Sequence, residues 1–327
     1  MRRRHGLVML ALLAAAGCAA ESKGGGDSAA GGGDEGAAGD EGDGAEGGDE
    51  GTEGGDEGTA GGDDGGDDGE ELPPAVDLRC PEDVLALPTR ASLRATETTG
   101  HTGSVRFIWS LVAAPHDAQL GSGAFTAGSG EQMLFLQLAG DYTVEVVASV
   151  DGLESAPASC SFSAVHETAL AVEHIGTADP GTYLDHDLHL AHGGAELFFT
   201  PGDASYCNSP DPGPDEAEGT ADDLYQVLDD RTGGAFAVEL FQAEAIGATT
   251  YTPRVHLFNA DSQGEDEEWR SEVRVWVDGV EVARESSTEL TEGDVWEVGT
   301  YDAVAETWTA GETPPAAAER NSCVSAE

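Results

Sequence analysis

From Pro73 onward, apolar and polar residues alternate in short runs, which is the period of a β-strand. Val105, Phe107, Trp109 and Leu111 fall on one face of such a run, with Arg106, Ile108 and Ser110 on the other. Tyr142, Val144, Val146 and Ala148 repeat the pattern, and Gly121-Ser122-Gly123 and Gly128-Ser129-Gly130 supply turns. No window between 73 and 166 carries a helical stripe. About seven strands in some ninety residues predict a β-sandwich.

The strand period continues from residue 167 to the end, but acids and histidines now occupy fixed places in it. In Leu184-Asp185-His186-Asp187-Leu188-His189-Leu190, Asp185, Asp187 and His189 share one face, and His186, Leu188 and Leu190 the other. An acidic, turn-like segment, Leu228-Asp229-Asp230-Arg231-Thr232-Gly233-Gly234, precedes a strand with Phe236, Val238 and Leu240 on one side. Val273, Val275 and Val277 on one arm, and Val280 and Val282 on the other, flank Asp278-Gly279. That dipeptide predicts a type I′ hairpin, because both central residues of such a turn need positive φ. Asp294-Val295-Trp296-Glu297-Val298 opens the last predicted strand. The expected fold is all-β: two consecutive β-sandwich domains, 73–166 and 167–327.

The first 72 residues follow neither period. Arg2, Arg3 and Arg4 form a basic head, Leu7 to Ala16 a short apolar run, and Gly17-Cys18 its end. The run falls well short of the roughly 20 apolar residues that span a bilayer, so it predicts an export signal. Its small residues before the cysteine resemble the lipobox of bacterial lipoproteins, although Ala15 stands where that family prefers Leu. The resemblance implies a signal peptide over 1–18 and an acylated Cys18 as the mature N-terminus. Ala19 and Ala20, in place of an aspartate after the cysteine, imply delivery to the outer membrane. The competing reading is a plain secretory signal cut in the Ala-Gly region.

Composition changes abruptly after Cys18. Residues 19–72 are mostly Gly, Asp, Glu and Ala, with one base, Lys23, and near-repeats such as Gly-Gly-Asp-Glu-Gly at 47–51 and 54–58. Such a segment cannot bury enough apolar surface to offset the entropy of ordering, so it is expected to be a disordered linker. A Gly-rich coil of about fifty residues spans roughly 40 Å r.m.s., and about 180 Å when fully extended. The chain as a whole has 64 Asp and Glu against 14 Lys and Arg, a formal net charge of -50. This argues against nucleic acid and anionic lipid surfaces as partners, which need Lys and Arg on their phosphates. Contact with the membrane is expected through the N-terminal lipid only.

There are five cysteines. With Cys18 acylated, Cys80, Cys160, Cys207 and Cys323 remain, an even number that fits an oxidising compartment. Their three possible pairings are not ranked by spacing; the division into domains favours Cys80–Cys160 and Cys207–Cys323.

Phe107-Ile108-Trp109-Ser110, Leu138-Ala139-Gly140-Asp141-Tyr142-Thr143-Val144 and Val150-Asp151-Gly152 resemble immunoglobulin-like domains of the PKD type found on bacterial surfaces. The resemblance implies a corner hydrogen bond from Tyr142, and a bridge between the first and last strands from Cys80 and Cys160. His101 and His116 fall in polar loops and are expected to be solvated. The second domain resembles a sandwich module of myxobacterial extracellular proteins. That likeness rests on Asp185-His186-Asp187-Leu188-His189-Leu190, Cys207-Asn208-Ser209-Pro210-Asp211-Pro212, Val273 to Val282, and Gly293-Asp294-Val295-Trp296-Glu297-Val298. It implies a secreted accessory module and no particular reaction.

The acids suggest a cation. Calcium takes 6–8 oxygen ligands, typically carboxylates and carbonyls on loops. A strand face presenting Asp185 and Asp187, with Asp229 and Asp230 folded over it, makes these four the candidate Ca2+ ligands; simple solvation of an acidic sandwich is the competing reading. His186, His189 and His192 would share one side of a helix and suggest zinc, but the Leu188/Leu190 alternation favours a strand. The chain lacks a Gly-x-Ser-x-Gly elbow, a His-Glu-x-x-His pair and a phosphate loop, so no enzyme is expected. The expected function is a lipid-anchored envelope or cell-surface protein, a non-catalytic binding or adhesion module for an extracellular polymer or protein. Trp269, Trp276 and Trp308 are its candidate contact aromatics. The alternatives are a structural spacer or display protein of the envelope, and an accessory protein of an extracellular hydrolase.

Overall fold

The structure, a computed structural model, describes residues 72–311 and 316–317, apart from 122–124, 127, 179–182, 197–201, 207–208, 230–235, 262–269, 288–289 and 291–292. The chain divides into two units, Met1–Asp67 and Asp68–Glu327, and every described residue belongs to the second. The expectations for the leader and linker, and for Cys18, Cys207, Cys323, Asp230 and Trp269, lie outside the described residues.

The first alternating region folds as β1 (Val76–Arg79), β2 (Val84–Ala86), β3 (Thr89–Glu97), β4 (Arg106–Ala113), β5 (Glu131–Leu136), β6 (Gly140–Val150), β7 (Leu153–Glu154) and β8 (Ala158–Val165). They form two sheets, β1-β3-β5 and β2-β8-β6-β4, with β7 on β6. Alternation has its expected cause: in β6 every second residue from Tyr142 to Val150 is buried. Tyr142 and Val144 among them pack with Leu93, Leu134 and Leu136 of the facing sheet and with Phe162 of β8. The Tyr142 hydroxyl donates to Leu138 O at 2.9 Å, the corner bond expected of it. Cys80 and Cys160 form a disulfide with Cα atoms 5.9 Å apart, within the ordinary range for the bond.

The second region folds as β9 (Leu170–Thr177), β10 (Tyr183–His192), β11 (Asp203–Ala204), β12 (Tyr225–Leu228), β13 (Phe236–Ala243), β14 (Thr250–Asp261), β15 (Arg270–Val277), β16 (Val280–Ser287), β17 (Asp294–Glu297), β18 (Gly299–Asp302), β19 (Thr307–Ala310) and β20 (Ala316–Ala317). One sheet runs β12-β13-β9-β15-β16. The other runs β11-β10-β14-β17-β20, with β18 on β14 and β19 on β18. Between them lies a core containing Val172, Leu188, Leu190, Phe241, Leu257, Val275 and Trp296. Asp278 and Gly279 have φ of 48° and 74°, the left-handed pair required by the predicted hairpin. Among the described residues the helical segment is a single 3-10 turn, Asp117–Gly121.

The β12-β13-β9-β15-β16 sheet is covered on both faces, which the sequence did not predict. Its second face meets the first sandwich: Ile175 and Val238 pack on Leu138. At the centre stands Glu173, fully buried. Its carboxylate accepts from Ala139 N at 2.6 Å and from Trp276 Nε1 at 3.1 Å, and lies 2.9 Å from His166 Nε2. Gln242 Nε2 lies 3.1 Å from His166 Nδ1, so the tautomer with its proton on Nε2 satisfies both contacts. Arg274, also buried, donates from Nη2 to Pro115 O at 3.0 Å. A seam of buried, hydrogen-bonded polar groups therefore joins the two sandwiches, and losing one member would leave its buried partners unsatisfied.

Two expectations change here. His116 is not a solvated loop residue: its ring sits 5.9 Å from that of Phe236 in the seam, and burial lowers its pKa. Trp276 does not present its ring as an outward contact. It packs against the core of the first sandwich and against the His166 ring at 5.6 Å. Trp308 is likewise half-buried, donating from Nε1 to Glu285 at 3.0 Å.

Candidate functional site: the open edge of strand β10

Strand β10 pairs with β14 along its whole length, and among the described residues its other side pairs with β11 at Leu190 and Ala191. Among the described residues, no strand pairs with residues 185–189 on that side. The Leu188 N–H on that edge is taken by a side chain, the carboxylate of Glu239 from β13. Glu239 lies on the core face of β13 with Ala237, Phe241 and Ala243 and is only 2 % exposed.

Three of the predicted acids act on it electrostatically. Burial raises the Glu239 pKa well above the carboxylate range. The negative charges of Asp187, Asp229 and Asp185 push it further the same way, and the Leu188 hydrogen bond opposes them. Three of the four candidate Ca2+ ligands are therefore near enough to act on one buried carboxyl group. The fourth, Asp230, falls outside the described residues. Sequence reasoning missed Glu239; the available signal was one acid among alternate apolar positions in Phe236–Ala243, where every neighbour on its face is buried. Burial, with negative charges acting on it, favours the protonated form of such a group. Among the described residues Glu239 makes no ion pair, and Asp187 Oδ2 lies 3.8 Å from His256 Nδ1. Among the same residues no three His, Cys, Asp or Glu side chains form a ready metal cage.

The three histidines of β10 diverge, which removes the helical zinc reading. His186 points into the inter-sheet core, where its ring meets that of His174 edge-on at 5.0 Å. The close approach needs Gly176, since a Cβ there would stand 2.6 Å from His186 Nδ1. Burial drives the His174 pKa well below its ordinary value, with a further push from His186. For His186, burial first and then the charge of His256 bring it down to about 4. His189 lies on the opposite face, its Nδ1 3.0 Å from Asp203 Oδ2. His192 Nε2 lies 2.8 Å from Asp211 Oδ1, in the wall of a loop cleft of about 780 Å³. Asp211 also accepts from Gly202 N and Gly213 N, so the cleft floor is fixed by backbone as well as by the histidine.

No family model and no curated protein matches this chain. The chemistry of the site therefore stands on its residues alone. Carboxylate oxygens from β10, from β13 and from the segment after β12 suit a hard divalent cation better than a soft one.

Proposed function

We propose that the chain is a lipid-anchored envelope or cell-surface protein, a non-catalytic binding or adhesion module carried on the acidic linker. The observation that carries this reading is the Cys80–Cys160 disulfide. Such a bond persists outside the reducing cytoplasm, where the Arg2–Cys18 leader would send the chain. Acyl chains on Cys18 hold the protein to the outer membrane, and residues 19–72 lift the paired sandwiches away from it.

The reading extends to Ca2+ on the open edge of β10. Asp185, Asp187, Asp229 and Asp230 would hold the ion, with Glu239 as a fifth carboxylate that loses its proton when the cation arrives. The ion would supply the positive charge that this cluster otherwise obtains by protonation. A second reading, a structural spacer or display protein, is favoured by the seam at Glu173, which suits a stiff rod as well as a binding body.

Brief protease treatment of intact cells tests the anchored, outward-facing arrangement. Early cleavage within 19–72 with release of an intact two-sandwich fragment is expected. A chain that stays whole until the envelope is broken would contradict exposure at the surface.

A further inference from the structure

The arginines of this acidic chain are not scattered. Of its 14 basic residues, ten follow the linker. Three of those ten, Arg79, Arg90 and Arg94, point outward from the β1-β3-β5 sheet at exposed positions of the alternation. The register places them together: Arg94 lies opposite Arg79 on one side and Glu131 on the other, and Arg90 lies opposite Phe135. Met133 and Phe135, outward on β5, are 56 % and 42 % exposed. The Arg90 guanidinium sits 5.9 Å from the centre of the Phe135 ring.

These cations are available. Arg94 Nε approaches Glu131 Oε1 at 3.6 Å with both side chains mostly in solvent, a pair that contributes little and exchanges easily. Arg79 makes no ion pair among the described residues. Arg254, Arg274 and Arg284 are by contrast committed: Arg254 to Glu297, Arg274 to Glu272 and Pro115 O, and Arg284 to Glu281 through two bonds. At strand spacing, Arg90 and Arg94 stand about 14 Å apart along β3, and Arg79 flanks Arg94 at about 5 Å. Three cations against the outward acids Asp77 and Glu131 leave this open face net positive, which suits a ligand with repeated anionic groups and not a single small ion. The apolar plateau of Phe135 and Met133 beside them suits the C–H face of a sugar ring.

We infer that the outer face of the β1-β3-β5 sheet binds an anionic, carboxylate-bearing polysaccharide, with Arg79, Arg90 and Arg94 on the carboxylates and Phe135 and Met133 under the sugar rings. This names the ligand class for the binding module proposed above and rests on that reading. The test uses the full chain, purified in detergent, on immobilised polygalacturonate, dextran and polyglutamate at low and high salt. Polygalacturonate is expected to bind, dextran not, and the binding to weaken as salt screens the arginines. Arg90→Glu/Arg94→Glu is expected to lower affinity at least about tenfold, on the order of 1.4 kcal/mol. Phe135→Ser should lower it with no change of charge, and Arg106→Glu on the other sheet should leave it unchanged. Thermal unfolding of each variant separates lost binding from lost fold. Absence of polygalacturonate binding, equal binding to polyglutamate, or an equal loss in Arg106→Glu would each overturn the inference. A chain shaved from cells by protease that ignores polygalacturonate keeps the anchored-module reading and loses only the arginine face.

Discussion

The backbone N–H of Ala139 donates to the buried carboxylate of Glu173 at 2.6 Å, bonding a loop of the first sandwich to the middle strand of a sheet in the second. The same carboxylate holds the Trp276 indole. Glu173→Ala would strand these donors in the seam. Each buried donor left without an acceptor costs about 1–3 kcal/mol, so a loss of about 3 kcal/mol is expected in equilibrium urea unfolding. Unchanged stability would mean that the seam does not hold the two sandwiches.

The disulfide closes a loop of 80 residues. Loop-closure entropy of that size corresponds to about 4 kcal/mol. The double variant Cys80→Ala/Cys160→Ala is expected to lose stability of that order in denaturant unfolding. Adding reductant to the unaltered protein should give a similar loss.

The histidine pair in the core sets a pH dependence. His186 is held down to about 4 and His174 well below 6.5, so both are neutral in the fold. An unfolded chain takes up protons below about 6.5, and the folded one does not. The stabilisation is therefore complete above pH 6.5 and is lost as pH falls toward 4, where the His186 contribution levels off. The melting temperature is expected to drop across that window, and His186→Leu should flatten the slope. A constant melting temperature in the wild type over the window would contradict the burial of the pair.

Glu239 acts in the opposite sense. Its raised pKa means that the fold binds a proton the unfolded carboxyl would release, so its contribution is present below pH 4.5 and is lost as pH rises through the folded pKa. Ca2+ at about a hundred times its dissociation constant adds about 2.7 kcal/mol. For a unit of this size that is a rise in midpoint of about 5–10 °C. Glu239→Gln is expected to hold or gain stability without calcium and to abolish the calcium-dependent rise. No rise in the wild type up to millimolar Ca2+ would remove the cation from the account.

The strands and hairpins were legible because one face of each was expected to be wet. Val273, Val275 and Val277 alternate with Arg274 and Trp276, and Asp278-Gly279 can hardly be anything but a tight turn. What escaped was the second covered face of the β12-β13-β9-β15-β16 sheet. Glu173, Gln242, Glu272 and Arg274 carry no sign of it, since alternation does not distinguish a polar residue in water from one in a polar seam. β9 shows almost no alternation, because nearly all of it is buried on both faces. Of the candidate site, the acids on β10 were legible from strand parity. Glu239 was not, because the backbone N–H it accepts from, Leu188, lies 51 residues away in the chain and only the sandwich brings the two together.

Binding outside the cell requires export and anchoring of the chain at Cys18. Intact-mass analysis of the protein extracted from membranes tests that most directly. A mature N-terminus at Cys18 carrying the mass of its acyl chains is predicted. An unmodified terminus, or a chain recovered free in the culture medium, would contradict it.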